Sequence, residues 1–428
     1  MIARRKPRIR NRWVKRSIRV LRTLFGPYYA RRFAIRFWDG TVIPAQADER
    51  FILNVQAPYA LRAAFTPPFD LNPGRAFVEG ALDIEGDLEA AVDLLTRSAD
   101  RLGGFAKVSL GFWLHRLPRP PKSTDENTAQ LEGVLHSRAR DEAAIRFHYD
   151  QPVEFYRAFL DSRLVYSCAY FEGETRSLEE AQLAKLDYVL RKVNLAPNDS
   201  LLDIGCGWGS LIIRAAEYGA RVLGITLSRV QYEETQRRIA AAGVGDRAHV
   251  ELRDYRDLGD ARFDKVVSIG MVEHVGRERL ADYFRSAFRA LRPGGLFLNH
   301  GIAEQSRQRR GYRATGFLGR YVFPDGDLLP ISELLAAAER IGFEVRDVEN
   351  LREHYTRTLR AWAANLERNA AAAISASGLR TYRVWRLYIA GSAQGFASGR
   401  TGIFQSLLAR PRADGVTELP ETRRWLYA

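Results

Sequence analysis

The chain has 428 residues, enough for two hydrophobic cores, and its 46% hydrophobic and 27% charged residues exclude a disordered or low-complexity protein. No apolar run reaches the roughly 18 consecutive residues that a membrane-spanning helix requires. Lysine and arginine outnumber acids by 65 to 51, and the formal charge of +14 calls for an anionic partner such as a nucleic acid or a lipid surface.

The excess is greatest at the start. No Asp or Glu occurs from Met1 to Trp38, while "RIRNRWVKRSIRVLRTLF" sets Arg and Lys among Trp13, Val14, Ile18, Val20, Leu21 and Leu24. Residues 1–33 read as a basic amphipathic segment suited to anionic head groups, with a solubilising tail as the other reading. They lack the apolar core and small-residue cleavage site of a secretory signal. "FAIRFWDGTVI" and "RFILNVQAP" are β-like and "DLEAAVDLLTRSADRL" is helical, which makes residues 34–120 a small α+β domain. The stretch "HRLPRPPKSTDENTAQ" concentrates Pro, Ser and Thr and predicts a linker at 121–140.

Beyond it, "SLLDIGC", "SLIIRAAEYG", "ARVLGITLS", "VQYEETQRRIAAAG", "HVELRDY", "FDKVVSIG" and "ERLADYFRSAFRALRPGG" alternate strand and helix. Such alternation predicts parallel βαβ units, hence an α/β, doubly wound Rossmann-like sheet over residues 141–428 with ligands at the carboxyl ends of its strands. "NAAAAISASG" near 369–378 predicts a helix end. Cys168 and Cys206 are too few for a disulfide framework and fit a reducing cytoplasm. No spacing of Cys and His suits a metal, and none is expected.

"LLDIGCGWGS" places Asp203 at a strand end and Gly205, Gly207 and Gly209 in the following turn. The spacing is G-x-G-x-G, not G-x-G-x-x-G, and no Lys-Ser/Thr pair follows, which disfavours dinucleotides and nucleoside triphosphates. Asp203 either takes up the α-ammonium of an amino-acid-like ligand or organises the loop that does. This pattern resembles the first motif of class I S-adenosylmethionine-dependent methyltransferases. The next strand ends in "GITLSRVQ", offering Thr226, Ser228 and Gln231 where that class usually places a ribose-binding acid, and their neutral groups can bond the ribose hydroxyls. "RDYRDL" supplies Asp254 for the adenine amino group and Tyr255 for stacking.

A longer series resembles the cyclopropane-fatty-acyl-phospholipid synthases and their mycolic-acid relatives. "VYSCAYF", "SLEEAQLAKLDYVLRKVNL", "LLDIGCGWGSL", "GITLS", "RDYRDL", "SIGMVEHVG", "LRPGGLFLNHGI", "YVFPDGDLLP" and "RVWRLYIAGSAQGF" occur in that family's order across residues 145–405. "RAFVEGALDIEGDLEAAVDLL" is similar to its amino-terminal domain. The resemblance implies transfer of the sulfonium methyl group of S-adenosylmethionine to a cis double bond of a phospholipid acyl chain, then proton loss that closes a cyclopropane ring. It implies a bicarbonate ion as the base, held by Cys168, Glu273, His300, Ile302 and Tyr388, with Cys168 and Ile302 acting through backbone groups. It implies cofactor contacts from Tyr166, Ser167, Asp203, Gly205, Cys206, Gly207, Gly209, Thr226, Leu227, Gln231, Asp254 and Tyr255. Tyr166, Tyr170, Phe171, Trp385 and Tyr388 offer aromatic faces for a carbocation.

In "SIGMVEHVG" the adjacent side chains of Glu273 and His274 point apart; the resemblance assigns only Glu273 to the base site, which leaves His274 a structural part in holding the loop. One departure stands out. The family reads like "HYDLGNDFY" where this chain has "HYDQPVEFY", so Pro152-Val153 leaves the substrate and the reaction outcome open. The accompanying expectations are a cytoplasmic enzyme held peripherally on the inner face of the membrane, unsaturated phospholipid and an anionic membrane surface as partners, no nucleic acid, and a homodimer as one possible assembly. Three other readings stay open: methyl transfer without ring closure, giving a methyl-branched or methylene chain; a small-molecule or RNA methyltransferase; and a non-catalytic lipid-binding protein.

Overall fold

The computed structural model describes residues 9–29, 32–122, 128–173, 176–304, 315–417 and 419–427. The chain forms two compact units. The first takes the chain up to Thr128 together with Thr315–Tyr321 and Gly378–Gln394, and the second takes Ala129–Ala314, Val322–Ser377 and Gly395–Ala428.

The first unit opens with α1 (Arg12–Phe25), started by Asn11, whose side chain accepts the Trp13 N–H. Val14, Ile18, Leu21 and Leu24 on this helix are buried in one core with Phe33, Ile35, Phe51 and Leu53. The amphipathic stretch assigned above to a separate basic segment ending at 33 is thus a core element whose apolar face meets protein, leaving its cations outside; residues 1–8 of that segment lie outside the described residues. A sheet follows, made of β1 (Phe33–Phe37), β2 (Val42–Ile43), β3 (Phe51–Val55) and β4 (Leu82–Gly86), in the order β2-β1-β3-β4. Helices α2 (Ala60–Phe65) and α3 (Asn72–Val78) join β3 to β4. Then α4 (Leu88–Arg101) starts at Asp87, whose carboxylate accepts the Ala90 N–H, and α5 (Gly104–His115) closes the segment.

The second unit begins with α6 (Arg138–Tyr149), α7 (Val153–Arg157) and α8 (Leu178–Lys192), the last started by a reciprocal pair in which Ser177 and Glu180 each bond the other's backbone N–H. Then come β5 (Ser200–Ile204), α9 (Ser210–Glu217), β6 (Arg221–Thr226), α10 (Arg229–Ala242), β7 (Ala248–Leu252), β8 (Phe263–Ile269), α11 (Leu280–Ala290) and β9 (Leu291–Glu304). After α12 (Phe317–Tyr321), which belongs to the first unit, the chain runs through α13 (Ile331–Ile341), β10 (Glu344–Asn350), α14 (Arg352–Arg368), α15 (Ala370–Ala397), β11 (Thr401–Ala409) and α16 (Arg424–Tyr427). Helix α15 breaks at Gly378, with φ 81° and ψ 158°, so "NAAAAISASG" is itself mostly helical and ends at its glycine.

The sheet order is β10-β11-β9-β8-β5-β6-β7. Strands β9, β8, β5, β6 and β7 are parallel, while β11 runs antiparallel to both β9 and β10. The α/β class follows the expected alternation, and β10 and β11 add an antiparallel edge that the alternation did not contain. The chain steps outward from β5 through β6 to β7, then crosses to β8 on the other flank of β5. The crevice at such a reversal is where an open α/β sheet binds its ligand.

Candidate functional site

A cavity opens at the carboxyl ends of β5, β6 and β8, all within the second unit. Tyr166, Ser167, Asp203, Gly205, Cys206, Gly207, Thr226, Leu227, Gln231 and Tyr255 line it, ten of the twelve residues named for the cofactor. The N–H groups of Gly205 and Cys206 both donate to Ile225 O at 3.0 Å, tying the loop to β6, and the turn needs φ 81° at Gly205. Gly209 stands off the wall. A β-carbon there would lie 2.5 Å from Thr235 Cγ2 on α10, so this glycine lets two helices approach instead of admitting a ligand. Asp254 is off the wall too. Its carboxylate accepts the backbone N–H of Arg256 at 2.9 Å and the Arg256 guanidinium at 2.9 and 2.5 Å, which leaves the cavity wall to Arg256 and Tyr255.

Asp203 is buried, and its Oδ1 has no hydrogen-bond partner among the described residues. Burial pushes its pKa up to about 7 against the pull of the Lys185 ammonium. Lys185 is a cavity residue that sequence reasoning passed over. It is buried, lines the cavity and donates from Nζ to Ser167 Oγ at 2.9 Å. Burial lowers its pKa to about 8, with Cys168, Asp161 and Asp203 opposing. The one available signal was its place on the inner stripe of α8 with Ala181, Gln182 and Val189, where a lysine has no packing reason to be.

The end of β6 and the start of α10 are tied together by side chains. Thr226 Oγ1 donates to Gln231 Oε1 at 2.8 Å, and Ser228 Oγ donates to Asp150 Oδ1 at 2.6 Å. Asp150 ends the "HYD" triplet, and its two predecessors also serve the cavity. His148 sits 2.9 Å from Val322 O through Nδ1; a carbonyl only accepts, so the ring proton is on Nδ1, and Nε2 accepts the Tyr166 hydroxyl at 3.2 Å. Burial drives the His148 pKa down to about 3, which keeps it neutral. Tyr149 lines the cavity and its hydroxyl is 3.3 Å from His274 Nε2. His274 itself lies on the cavity wall. The departure at Pro152 is outside this wall, where Pro152 is the exposed residue that starts α7.

Four of the five residues named for the base belong to this unit. Glu273 lies in a one-turn helix, Val272–His274, just after β8. Its Oε1 accepts the Ile302 N–H at 2.6 Å, and its buried Oε2 has no partner among the described residues. Burial pushes its pKa up to about 7 despite that bond. The Ile302 N–H, expected to face the ion, is therefore already used to orient Glu273. On β9, His300 is buried, and the Gln405 side-chain amide donates to its Nδ1 at 3.3 Å, which puts the neutral ring's proton on Nε2, an N–H without a partner among the described residues. Gln405, from β11, had no part in the sequence reading. Cys168 is buried with its thiol donating to Ala169 O at 3.3 Å, and burial raises its pKa, so it is a neutral thiol. Tyr388 belongs to the first unit, where Trp385 packs edge-on against it at 5.6 Å between centroids. Tyr170 and Phe171 do not line the cavity; Tyr170 stacks between Tyr188 at 4.3 Å and His354 at 4.8 Å.

Comparison with known proteins agrees with this geometry. The family model described as mycolic acid cyclopropane synthetase matches residues 136–406. A probable fatty acid methyltransferase of Pseudomonas putida is 40% identical over 397 residues, 92% of this chain and 95% of that one. A second protein of that description, from Mycobacterium tuberculosis, is 35% identical over 91% of this chain and 93% of its own length. Among solved structures, the cyclopropane synthase MmaA2 from Mycobacterium tuberculosis superimposes with a TM-score of 0.60 at 35% identity, covering 63% of this chain and 98% of that one. The mycolic acid cyclopropane synthase CmaA1, solved as a complex with SAH and CTAB, matches with the same score, identity and coverage.

Proposed function

The chain belongs to the mycolic acid cyclopropane synthetase family and is an S-adenosylmethionine-dependent methyltransferase; from that premise we propose that it converts the cis double bond of an unsaturated phospholipid acyl chain into a cyclopropane ring, with a bound bicarbonate ion as the base. The observation that carries this reading is the pair of buried, unpartnered polar atoms on Glu273 and His300. A buried polar atom left without a partner costs about 1–3 kcal/mol, and a small oxyanion of mixed donor and acceptor character could satisfy either of them.

S-adenosylmethionine, when bound, supplies an electrophilic methyl group. The chain's part is to hold it and to position the alkene, which is a weak nucleophile and reacts only when held in line and close. Asp203, buried with an open Oδ1, receives the ammonium; Thr226 and Gln231 meet the ribose, and Tyr255 the adenine. Bicarbonate, when bound, supplies the base. His300 Nε2–H would donate to it and the ionised Glu273 Oε2 would accept its hydroxyl, one donor and one acceptor for an ion that needs both.

A second reading, methyl transfer that ends in a methyl-branched or methylene chain, is favoured by the names of the relatives that match almost the whole chain, both probable fatty acid methyltransferases. One experiment tests both. Methyl-labelled S-adenosylmethionine is incubated with the protein and vesicles of unsaturated phospholipid, and the acyl chains are analysed by mass and proton NMR. Ring protons support cyclopropanation, branched-methyl or exomethylene signals support the second reading, and unlabelled acyl chains would refute both.

A further inference from the structure

Helix α5 carries an apolar stripe that the core of its unit does not use. On its inner side Leu110 and Leu114 are buried in that core. On its outer side Phe105, Val108 and Phe112 follow at i, i+3 and i+7 and are 90%, 73% and 48% exposed. Three large side chains aligned on one outer helix face form a patch, and such patches mark interaction sites.

The surroundings of the stripe are cationic. Helix α1 packs against α5. The Arg19 guanidinium lies 4.4 Å from the Trp113 ring, and Trp113 meets Phe112 edge-on at 5.2 Å. Arg116 lies 3.4 Å from the Phe112 ring, and its carbonyl accepts from Arg16 at 2.7 Å. No acid occurs from Met1 to Trp38 or from Arg101 to Thr124.

We propose that this face docks the protein on an anionic bilayer, with Phe105, Val108 and Phe112 entering the acyl boundary and Arg19, Arg116 and their neighbours on α1 holding lipid phosphates. The proposal rests on the reading of membrane phospholipid as substrate. Charge decides the occupant. A second copy would bring the same uncompensated cations against one another, whereas anionic head groups neutralise them while the bilayer takes up the stripe. Trp113, between stripe and cations, has the amphipathic ring that settles at a membrane interface. Helix α1 thus supplies charge, and the insertion falls to α5.

The test uses the full chain and vesicles of phosphatidylcholine, alone or mixed with phosphatidylglycerol. Wild type is expected to sediment with the mixed vesicles and to be released by salt. The variant Phe105→Ser/Phe112→Ser should bind them about a hundredfold more weakly, and Arg19→Gln/Arg116→Gln should lose the preference for the anionic mixture. A dye on Val108→Cys should shift to the blue on mixed vesicles; Cys168 and Cys206 are buried and do not compete for label. Cofactor affinity by calorimetry and methylation of detergent-dispersed phospholipid should be unchanged in the serine variant. Wild type that ignores anionic vesicles, or a serine variant that binds them equally well, overturns the proposal, as does unaltered vesicle binding with a dimer turned monomer. Wild type that binds vesicles yet leaves detergent-dispersed phospholipid unmethylated retires the substrate reading and leaves the docking face standing.

Discussion

Asp203 and Glu273 are both buried carboxyls raised to about 7 by desolvation, yet they face different tasks. On the function proposed above each must be ionised to work, Asp203 to receive an ammonium and Glu273 to accept a hydrogen bond from the base. Cofactor affinity should fall as pH drops through about 7, and Asp203→Asn should flatten that dependence while weakening binding at pH 8 by about tenfold or more. Titration calorimetry across pH measures it. Turnover at saturating cofactor should also fall below about 7, through Glu273. Glu273→Gln should lower kcat by about a hundredfold, abolish that acidic limb and leave cofactor affinity nearly intact; an unchanged limb would remove Glu273 from the proton pathway. The stability sign is opposite. A carboxyl whose folded pKa exceeds its unfolded value stabilises the fold below the unfolded pKa and loses that contribution as pH rises through about 7. Buried neutral histidines such as His148 and His274 work in the other direction, losing stability as pH falls below about 6.5, so the carboxyl share is read against the Asp203→Asn/Glu273→Gln variant, whose melting temperature should gain on that of the ligand-free wild type between pH 6 and pH 8. Asp203 and Glu273 were legible because each sits in a short motif at a strand end. Lys185, His148 and Gln405 were not, since each acts through a partner far off in sequence, and the clamp of Arg256 on Asp254 is a side-chain pairing that spacing does not express.

Among the elements, the loop between β5 and α9 shows what local pattern can and cannot say. Three glycines in "DIGCGWGS" declared a tight turn at a ligand, but they do different things: Gly205 and Gly207 line the cavity, whereas Gly209 starts α9 at φ 80° with Thr235 against it. Gly209→Ala should cost about 3 kcal/mol, from an unfavourable left-handed backbone and from overpacking at 2.5 Å. Thr235→Ser in the same chain removes the clashing Cγ2 and keeps the hydroxyl that donates to Gly207 O at 3.1 Å. It should restore the overpacking share alone, read as a coupling in a double-mutant cycle of denaturant unfolding. Full additivity would mean that α9 and α10 move apart freely. Helix α1 carries the complementary lesson. An apolar stripe with arginines opposite has the same sequence whether the stripe meets lipid or a protein core, and Val14, Ile18, Leu21 and Leu24 meet the core.

At the scale of the whole chain, composition and the linker-like stretch after His115 suggested two consecutive domains, and the division at Thr128 falls within that stretch. What sequence order could not express is that the first unit is completed from far downstream. Arg383, on α15 after the Gly378 break, donates to Phe77 O at 2.8 Å and to Leu82 O at 3.0 Å, and lies 4.7 Å from the Phe77 ring. Arg386 donates to Ile84 O at 2.9 Å, Gln394 to Asp93 Oδ1 at 3.1 Å, and Ala390 is buried in the core of this unit. From α12, Phe317 N donates to Asp70 O, and its ring lies so close to Gly74 that a β-carbon there would be 2.3 Å away. Hydrogen bonds from a charged donor contribute about 1.5–3 kcal/mol each, so these segments together supply an amount comparable to the whole stability of a small domain, about 5–15 kcal/mol. Residues 1–128 expressed alone should accordingly unfold without a cooperative thermal transition. Adding a peptide of residues 378–394 should bring one back, because it returns Arg383, Arg386, Ala390 and Gln394. A peptide with Arg383→Ala and Arg386→Ala should fail. A cooperative transition in 1–128 by itself would show that the sheet and α1 hold the unit unaided, and that the returning helix is bound to it without stabilising it.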